Sequence, residues 1–234
     1  MKLIYTTFLF LIVSLSFSQV QCVSGDCENG KGKMVYKNKD FYDGEWANGY
    51  PNGQGIFVYG ENGSNSYEGN FLNGNFNGKG KLIWADGSTY LGQFKNNTFN
   101  GEGILLWKNG NRYEGNFVDD QIYGNGTLTY ANGDEYRGEF KDGKPNGKGT
   151  YYYKDGRKYS GEFKKGKQKG IGSISYPNGD TFKGEFKKGL KNGKGELITH
   201  NKTIYGYWLN DELNKIFIEK AEGHSNENKE VIMR

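Results

Sequence analysis

The sequence predicts an all-β protein, an elongated single-sheet solenoid of antiparallel β-hairpins with short capping units at both ends, and three observations predict it. First, seven aromatic residues stand at one point of a recurring phrase: Tyr42, Tyr67, Tyr90, Tyr113, Tyr136, Tyr159 and Phe182. The first interval is 25 residues and every later one is 23, the mark of one small unit stacked many times. Second, each copy adds a Gly two residues on, an aromatic two further, a central Gly-x-Gly pair, then another aromatic and a Gly. Tyr90, Gly92, Phe94, Gly101, Gly103, Trp107 and Gly110 make one such set, and Tyr113, Gly115, Phe117, Gly124, Gly126, Tyr130 and Gly133 the next. Third, Asp86-Gly87, Asn109-Gly110, Asn132-Gly133, Asp155-Gly156 and Asn178-Gly179 punctuate consecutive copies.

Taken in chain order, the N-terminus reads as an export signal over residues 1–18. Lys2 precedes an apolar core from Leu3 to Val13, and Ser16-Phe-Ser18 offers small residues to a signal peptidase, so the mature chain is expected to begin at Gln19. The core is short for a membrane span, an uncleaved anchor being the alternative. Cys22 lacks the small residue expected just before a lipidated cysteine. Residues 19–41 are an N-terminal segment with half a unit, Gly30-Lys-Gly32 and Tyr36 matching the second half of the phrase. They hold the chain's two cysteines, Cys22 and Cys27, whose spacing permits a small disulfide loop in an oxidising compartment.

Seven full units follow over residues 42–203. Tyr90-Leu-Gly-Gln-Phe94 alternates large and small with the period of a strand, and Gly103-Ile-Leu-Leu-Trp107 supplies a second, aromatic-ended one. The Asn-Gly and Asp-Gly pairs between copies predict tight hairpin turns with positive φ at both residues. Looser Gly- and Asn-rich loops such as 73–78 are expected inside each copy. Glycines facing the sheet are expected to let rings from neighbouring copies lie on bare backbone. Of the 15 Phe, 18 Tyr and 4 Trp, 20 fill the three repeated aromatic positions, which makes most of them structural. Residues 204–220 read as a capping hairpin, keeping Gly206-x-Trp208 but replacing the next Gly-x-Gly by Lys215-Ile-Phe217. Residues 221–234 are polar and aperiodic and predict a mobile tail. At roughly 4.8 Å per strand, eight hairpins would extend about 75 Å.

The phrase Tyr-x-Gly-x-Phe, followed by Gly-x-Gly and a later aromatic, resembles the MORN repeat, the membrane occupation and recognition nexus motif. The resemblance covers Tyr42 to about Thr199, with Thr199 itself departing from the late aromatic position. It implies a twisted single-sheet array that serves as a protein-interaction or membrane-proximal module. It names no ligand.

Charge is distributed unevenly. Residues 19–120 hold 9 basic and 12 acidic side chains, whereas 121–234 hold 21 and 15. The lysines gather in equivalent segments of three copies: Lys141, Lys144 and Lys148; Lys164, Lys165, Lys167 and Lys169; Lys187, Lys188, Lys191 and Lys194. The repeat superposes these segments, so they are expected along one edge of the sheet, facing anionic headgroups, lipopolysaccharide or an acidic protein. Earlier copies carry Tyr50, Phe76, Phe99 and Tyr123 in the same segments, candidate loop aromatics for stacking on a glycan.

Catalytic chemistry finds no support. Gly147-Lys-Gly149 lacks the third Gly and the helix that would present amides to phosphate, and Gly78-Lys-Gly80-Lys81 lacks the Ser or Thr of a phosphate loop. Asp119-Asp120 and Asp134-Glu135 sit in turn-like segments with no pocket to separate their pKa values. His200 and His224 have no partners at metal or nucleophile spacing. The sequence therefore predicts an exported, non-enzymatic scaffold with no cofactor or metal, bound to a protein partner or an anionic membrane or lipopolysaccharide surface. No nucleic-acid partner is expected, an exposed sheet end allows a homodimer, and a secreted glycan- or cell-wall-binding module is the alternative.

Overall fold

The computed structural model describes residues 20–221. The export signal, the expected new N-terminus at Gln19 and the tail from 222 lie outside the described residues, and Ala221, counted with the tail above, ends a strand. Eighteen strands follow one another. They are β1 (Gln21–Gly25), β2 (Lys31–Val35), β3 (Phe41–Ala47), β4 (Tyr50–Tyr59), β5 (Asn65–Leu72), β6 (Asn75–Ile83), β7 (Thr89–Lys95), β8 (Thr98–Leu106) and β9 (Arg112–Val118). Then come β10 (Gln121–Thr129), β11 (Glu135–Lys141), β12 (Lys144–Tyr152), β13 (Lys158–Lys164), β14 (Lys167–Ser175), β15 (Thr181–Lys187), β16 (Leu190–Ile198), β17 (Lys202–Leu209) and β18 (Glu212–Ala221). Each pairs antiparallel with its sequence neighbours, so the described residues form one open, meandering sheet.

The turns reverse the expectation from the sequence. The tight turns with both residues at positive φ lie inside each copy, at Asn73-Gly74 (48° and 79°), Asn96-Asn97 (48° and 68°) and Asp119-Asp120 (46° and 64°). Between copies only the glycine is left-handed, as at Gly87, Gly110 and Gly133. There the Trp84 carbonyl accepts from Gly87 N–H at 2.9 Å while Trp84 N–H donates to the Ser88 carbonyl at 3.0 Å. One extra residue sits in that connection, so a right-handed turn ended by one glycine suffices. The within-copy link has only two residues and must twist with the strands. The 25-residue first copy absorbs its surplus in a 3-10 turn at Glu61–Gly63.

Both edges are laced from copy to copy by hydrogen bonds that the sequence alternates with prolines. On one edge the second turn residue donates its N–H to a carbonyl of the preceding copy: Gly74 to Pro51, Asn97 to Phe76, Asp120 to Phe99, Gly166 to Pro145 and Asp211 to Lys191. In three copies the turn residue also accepts the N–H of the receiving residue, Asn97, Asp120 and Asp211 at 2.7, 2.7 and 2.8 Å. Opposite Pro51 and Pro145, which have no N–H to satisfy, the turn residue is a plain glycine, as it also is at Gly143 and Gly189 opposite Ile122 and Gln168. The other edge is laced through side chains in a similar way. Asn65, Ser88, Asn111 and Asp134 accept the N–H of Ala85, Lys108, Ala131 and Lys154. Arg157, which can only donate, is instead followed one copy later by Pro177.

A line of rings on one face forms the core. Tyr42, Tyr67, Tyr90, Tyr113, Tyr136, Tyr159 and Phe182 are all 0 % exposed. Each ring covers the paired glycines of its own copy rather than those of a neighbour. Gly115 and Gly126 face each other under Tyr113, where a Cβ on Gly126 would stand 2.5 Å from the ring. Edge-to-face contacts then join the copies: Tyr90 meets Phe94 of its own copy and Phe117 of the next, both at 5.1 Å, and Tyr113 meets Phe117 and Phe140 at 5.2 and 5.1 Å. Each buried hydroxyl donates to the carbonyl three residues on, Tyr90 to Gln93 at 3.0 Å and Tyr136 to Glu139 at 2.9 Å. No polar atom is stranded under the rings, and a single sheet buries apolar surface on one side only.

Candidate functional site

Strand alternation leaves the second face open to solvent, with Leu91, Ile104, Glu114 and Thr127 in one register across β7 to β10. Around the glycine row there, Glu102, Gly103, Glu114, Asn116 and Asn125 line only a shallow depression. Among the described residues no group of three His, Cys, Asp or Glu side chains is placed to hold a metal ion.

The candidate lysines divide. Lys141 stands opposite Lys144 and Lys164 opposite Lys167, on the open face beside the within-copy turns. Lys187 holds the same place in β15, and Lys148 and Lys194 lie further in along the same face, opposite Glu162 and Tyr207. Lys165 and Lys188 occupy the turns themselves, at φ of 51° and 57°. All nine are exposed, and none forms an ion pair among the described residues. Lys169 is half-buried and held by Glu162 at 3.3 Å. Lys191 departs from the expected edge. It has the place that Phe76 has in its copy, so strand alternation sends it to the aromatic face, with its ammonium 5.3 Å from the Phe182 ring and 3.5 Å from the Tyr176 hydroxyl.

The four candidate loop aromatics are not a set either. Phe76 is 5 % exposed and stacked on Tyr67 at 3.7 Å, and Phe99 is stacked on Tyr90 at the same distance. Phe76 is a core residue in β6 and Phe99 packs half-buried against the core in β8, because the segment expected to loop continues the strand past the turn. Tyr50 and Tyr123 are exposed, at 59 % and 51 %, but they stand two positions apart in the phrase and three copies apart in the chain, and form no continuous row. At the N-terminal end, Cys22 and Cys27 are joined by a disulfide beside the β1 edge.

The sheet ends offer little to a second copy. β18 shifts register against β17 twice, at Tyr205/Gly206 and at Tyr207/Trp208, and β1 shifts between Cys22 and Ser24. Bulges of this kind turn a strand edge away from further pairing.

Seven units are thus stacked between a half unit and a closing hairpin. A family model of the MORN repeat matches residues 42–64, 67–89, 90–112, 113–135, 136–156, 159–181 and 182–203. The chain belongs to the MORN repeat family. No curated protein is similar enough to this MORN array to count as a relative. Among solved structures it is similar to the SAS-4 TCP domain of Drosophila melanogaster in complex with a proline-rich motif of Ana2. The identity is 16 % over 72 % of this chain and 90 % of that one, with a TM-score of 0.45. It is also similar to a mutant TCP10 domain of Danio rerio CPAP, at 13 % identity over 82 % and 88 % of the two chains and a TM-score of 0.36. Likenesses this low transfer nothing of those proteins' binding.

Proposed function

We propose that this MORN array is an exported, non-enzymatic scaffold that meets an anionic membrane or lipopolysaccharide surface through the lysines on the open face of its last three full copies. One observation carries the reading: the lysines stand where the fold disfavours them. Lys165 and Lys188 are left-handed in turn positions that other copies give to Asn or Asp. A non-glycine residue there costs about 1 kcal/mol. Lys141 with Lys144 and Lys164 with Lys167 are like charges directly opposite each other, a destabilising arrangement. The fold needs none of these choices, so a ligand of opposite charge is the economical reason for them. The glycan alternative is weaker, since Phe76 and Phe99 are spent in the core.

Vesicle sedimentation tests the reading. Vesicles rich in anionic lipid are expected to retain the protein at low salt, with each lysine near the surface contributing about 1 kcal/mol, and to release it as salt screens the exposed charges. Changing Lys164, Lys165, Lys187 and Lys188 to Gln is expected to abolish most of that retention. Equal sedimentation of the two proteins, or no binding at low salt, would leave an acidic protein as the partner. Export is tested apart from this, by N-terminal sequencing of the protein made in its own cells. A start near Gln19 is expected, and an intact Met1 in the cytosol overturns it.

A further inference from the structure

A second surface lies on the aromatic face at the opposite edge. Trp84, Trp107, Tyr130, Tyr153 and Tyr176 recur every 23 residues, each just before a between-copy turn, and all are half-buried. Each carries a hydrogen-bond donor. Trp84 Nε1, Trp107 Nε1 and Tyr130 Oη make no hydrogen bond to the protein among the described residues, and no buried side-chain N or O lacks a partner, so these donors face solvent. Tyr153 accepts from Gln168 at 2.6 Å and Tyr176 from Lys191 at 3.5 Å, so both hydroxyls keep a proton to give.

The spacing of this rail selects a ligand geometry. Two strands separate successive rings, about 9.6 Å. A polyproline II helix repeats every three residues, about 9.3 Å, and makes no internal hydrogen bonds, so its carbonyls are free to accept. Across the four steps from Trp84 to Tyr176 the mismatch accumulates to only about 1 Å, less than the width of a ring. The charge match is one of partial charges: a line of N–H and O–H donors faces a chain rich in carbonyl oxygens and poor in N–H groups. Proline rings packed between aromatic side chains supply the apolar contact in this mode of recognition. We propose that the rail docks a proline-rich segment of a partner protein, laid across the strands as a polyproline II helix with one triplet per copy. Lys191 apart, this surface is separate from the candidate lysines and does not depend on what they bind.

Calorimetric titration of the full chain with proline oligomers of increasing length tests it. Affinity is expected to rise with each added triplet, while Gly-Ser peptides of equal length do not bind. Tyr130→Phe keeps the ring and removes only the donor, Trp107→Phe leaves a smaller ring without one, and together they are expected to weaken the longest oligomer about tenfold. Lys164→Gln with Lys187→Gln is expected to leave that affinity unchanged. Absence of binding by the longest oligomer, affinity independent of length, or indifference to the Phe pair overturns the proposal. Binding of cello-oligosaccharides in place of oligoproline also overturns it and gives the rail to a glycan.

Discussion

Gly115→Val is expected to melt well below the natural protein, while Gly179→Asn melts close to it. Gly115 lies in β9 opposite Gly126, beneath the fully buried ring of Tyr113. A Cβ there would stand 2.7 Å from the Asn125 carbonyl oxygen and 2.7 Å from Gly126 Cα, besides meeting the Tyr113 hydroxyl. Two of these obstacles are backbone held by the sheet, so the strand pair itself must shift. Overpacking of this sort costs about 1–3 kcal/mol, and this site belongs near the top of that range. Gly179 separates the two meanings of glycine in this chain. Its φ is 90°, yet a Cβ would meet nothing within 4 Å, and Asn tolerates the left-handed conformation. Urea midpoints of the two variants decide the matter: if they fall equally, the rings do not need bare backbone. Each copy contacts only its neighbours, so hydrogen exchange is expected to quicken first in β7 to β11.

Strong alkali is expected to unfold the sheet from a single cause. Burial, as the largest influence, raises the Tyr113 hydroxyl to about 12. Burial likewise takes Tyr59 to about 12, and carries Tyr42, Tyr67, Tyr90, Tyr136 and Tyr159 higher still. A tyrosine is neutral when protonated, so a raised folded value means that the native state holds the proton more tightly than the unfolded chain. This contribution is fully present below the unfolded value of about 10 and is lost as pH rises from there through the folded values. Urea midpoints should therefore stay flat up to about pH 10 with respect to these groups and then fall steeply, with phenolate absorbance appearing only as the sheet melts. Tyrosines that ionised near pH 10 in a sheet still folded would show that water reaches the line of rings.

Particular residues show how far the sequence could be followed. The intervals between Tyr42 and Phe182 predict the number of full units, and the alternation in 90–94 and 103–107 predicts β7 and β8. The two kinds of turn are the reverse of what the Asn-Gly and Asp-Gly pairs suggest. Asn109-Gly110 looks like a two-residue hairpin turn, but the residue that flanks it adds a third position, and only the pairing register reveals the count. Phe76 and Phe99 lie in strands rather than loops for the same reason. With the turn closing at Asn73-Gly74 and at Asn96-Asn97, the next residues belong to a strand, and strand alternation turns these two rings inward. The lacing had a signal that could have been read: Pro51, Pro145 and Pro177 sit at repeat positions whose partners are Gly74, Gly166 and Arg157. Of the lysines, all but Lys169 and Lys191 are exposed and form no ion pair among the described residues, with Lys148 and Lys194 further in than the expected edge.

By itself, the sequence determined that one unit recurs, that it is a pair of strands, that aromatic and glycine positions are bound together, and that lysines concentrate in the later copies. Those are properties of spacing and composition, which survive any choice of register. Only the tertiary structure decided which face each side chain takes, since a shift of one residue in a strand reverses its faces. It therefore decided that Phe76, Phe99 and Lys191 face inward while Lys141 and Lys144 face out. It also decided that Trp84 to Tyr176 form a line, because residues 23 apart become neighbours only when the strands between them are paired.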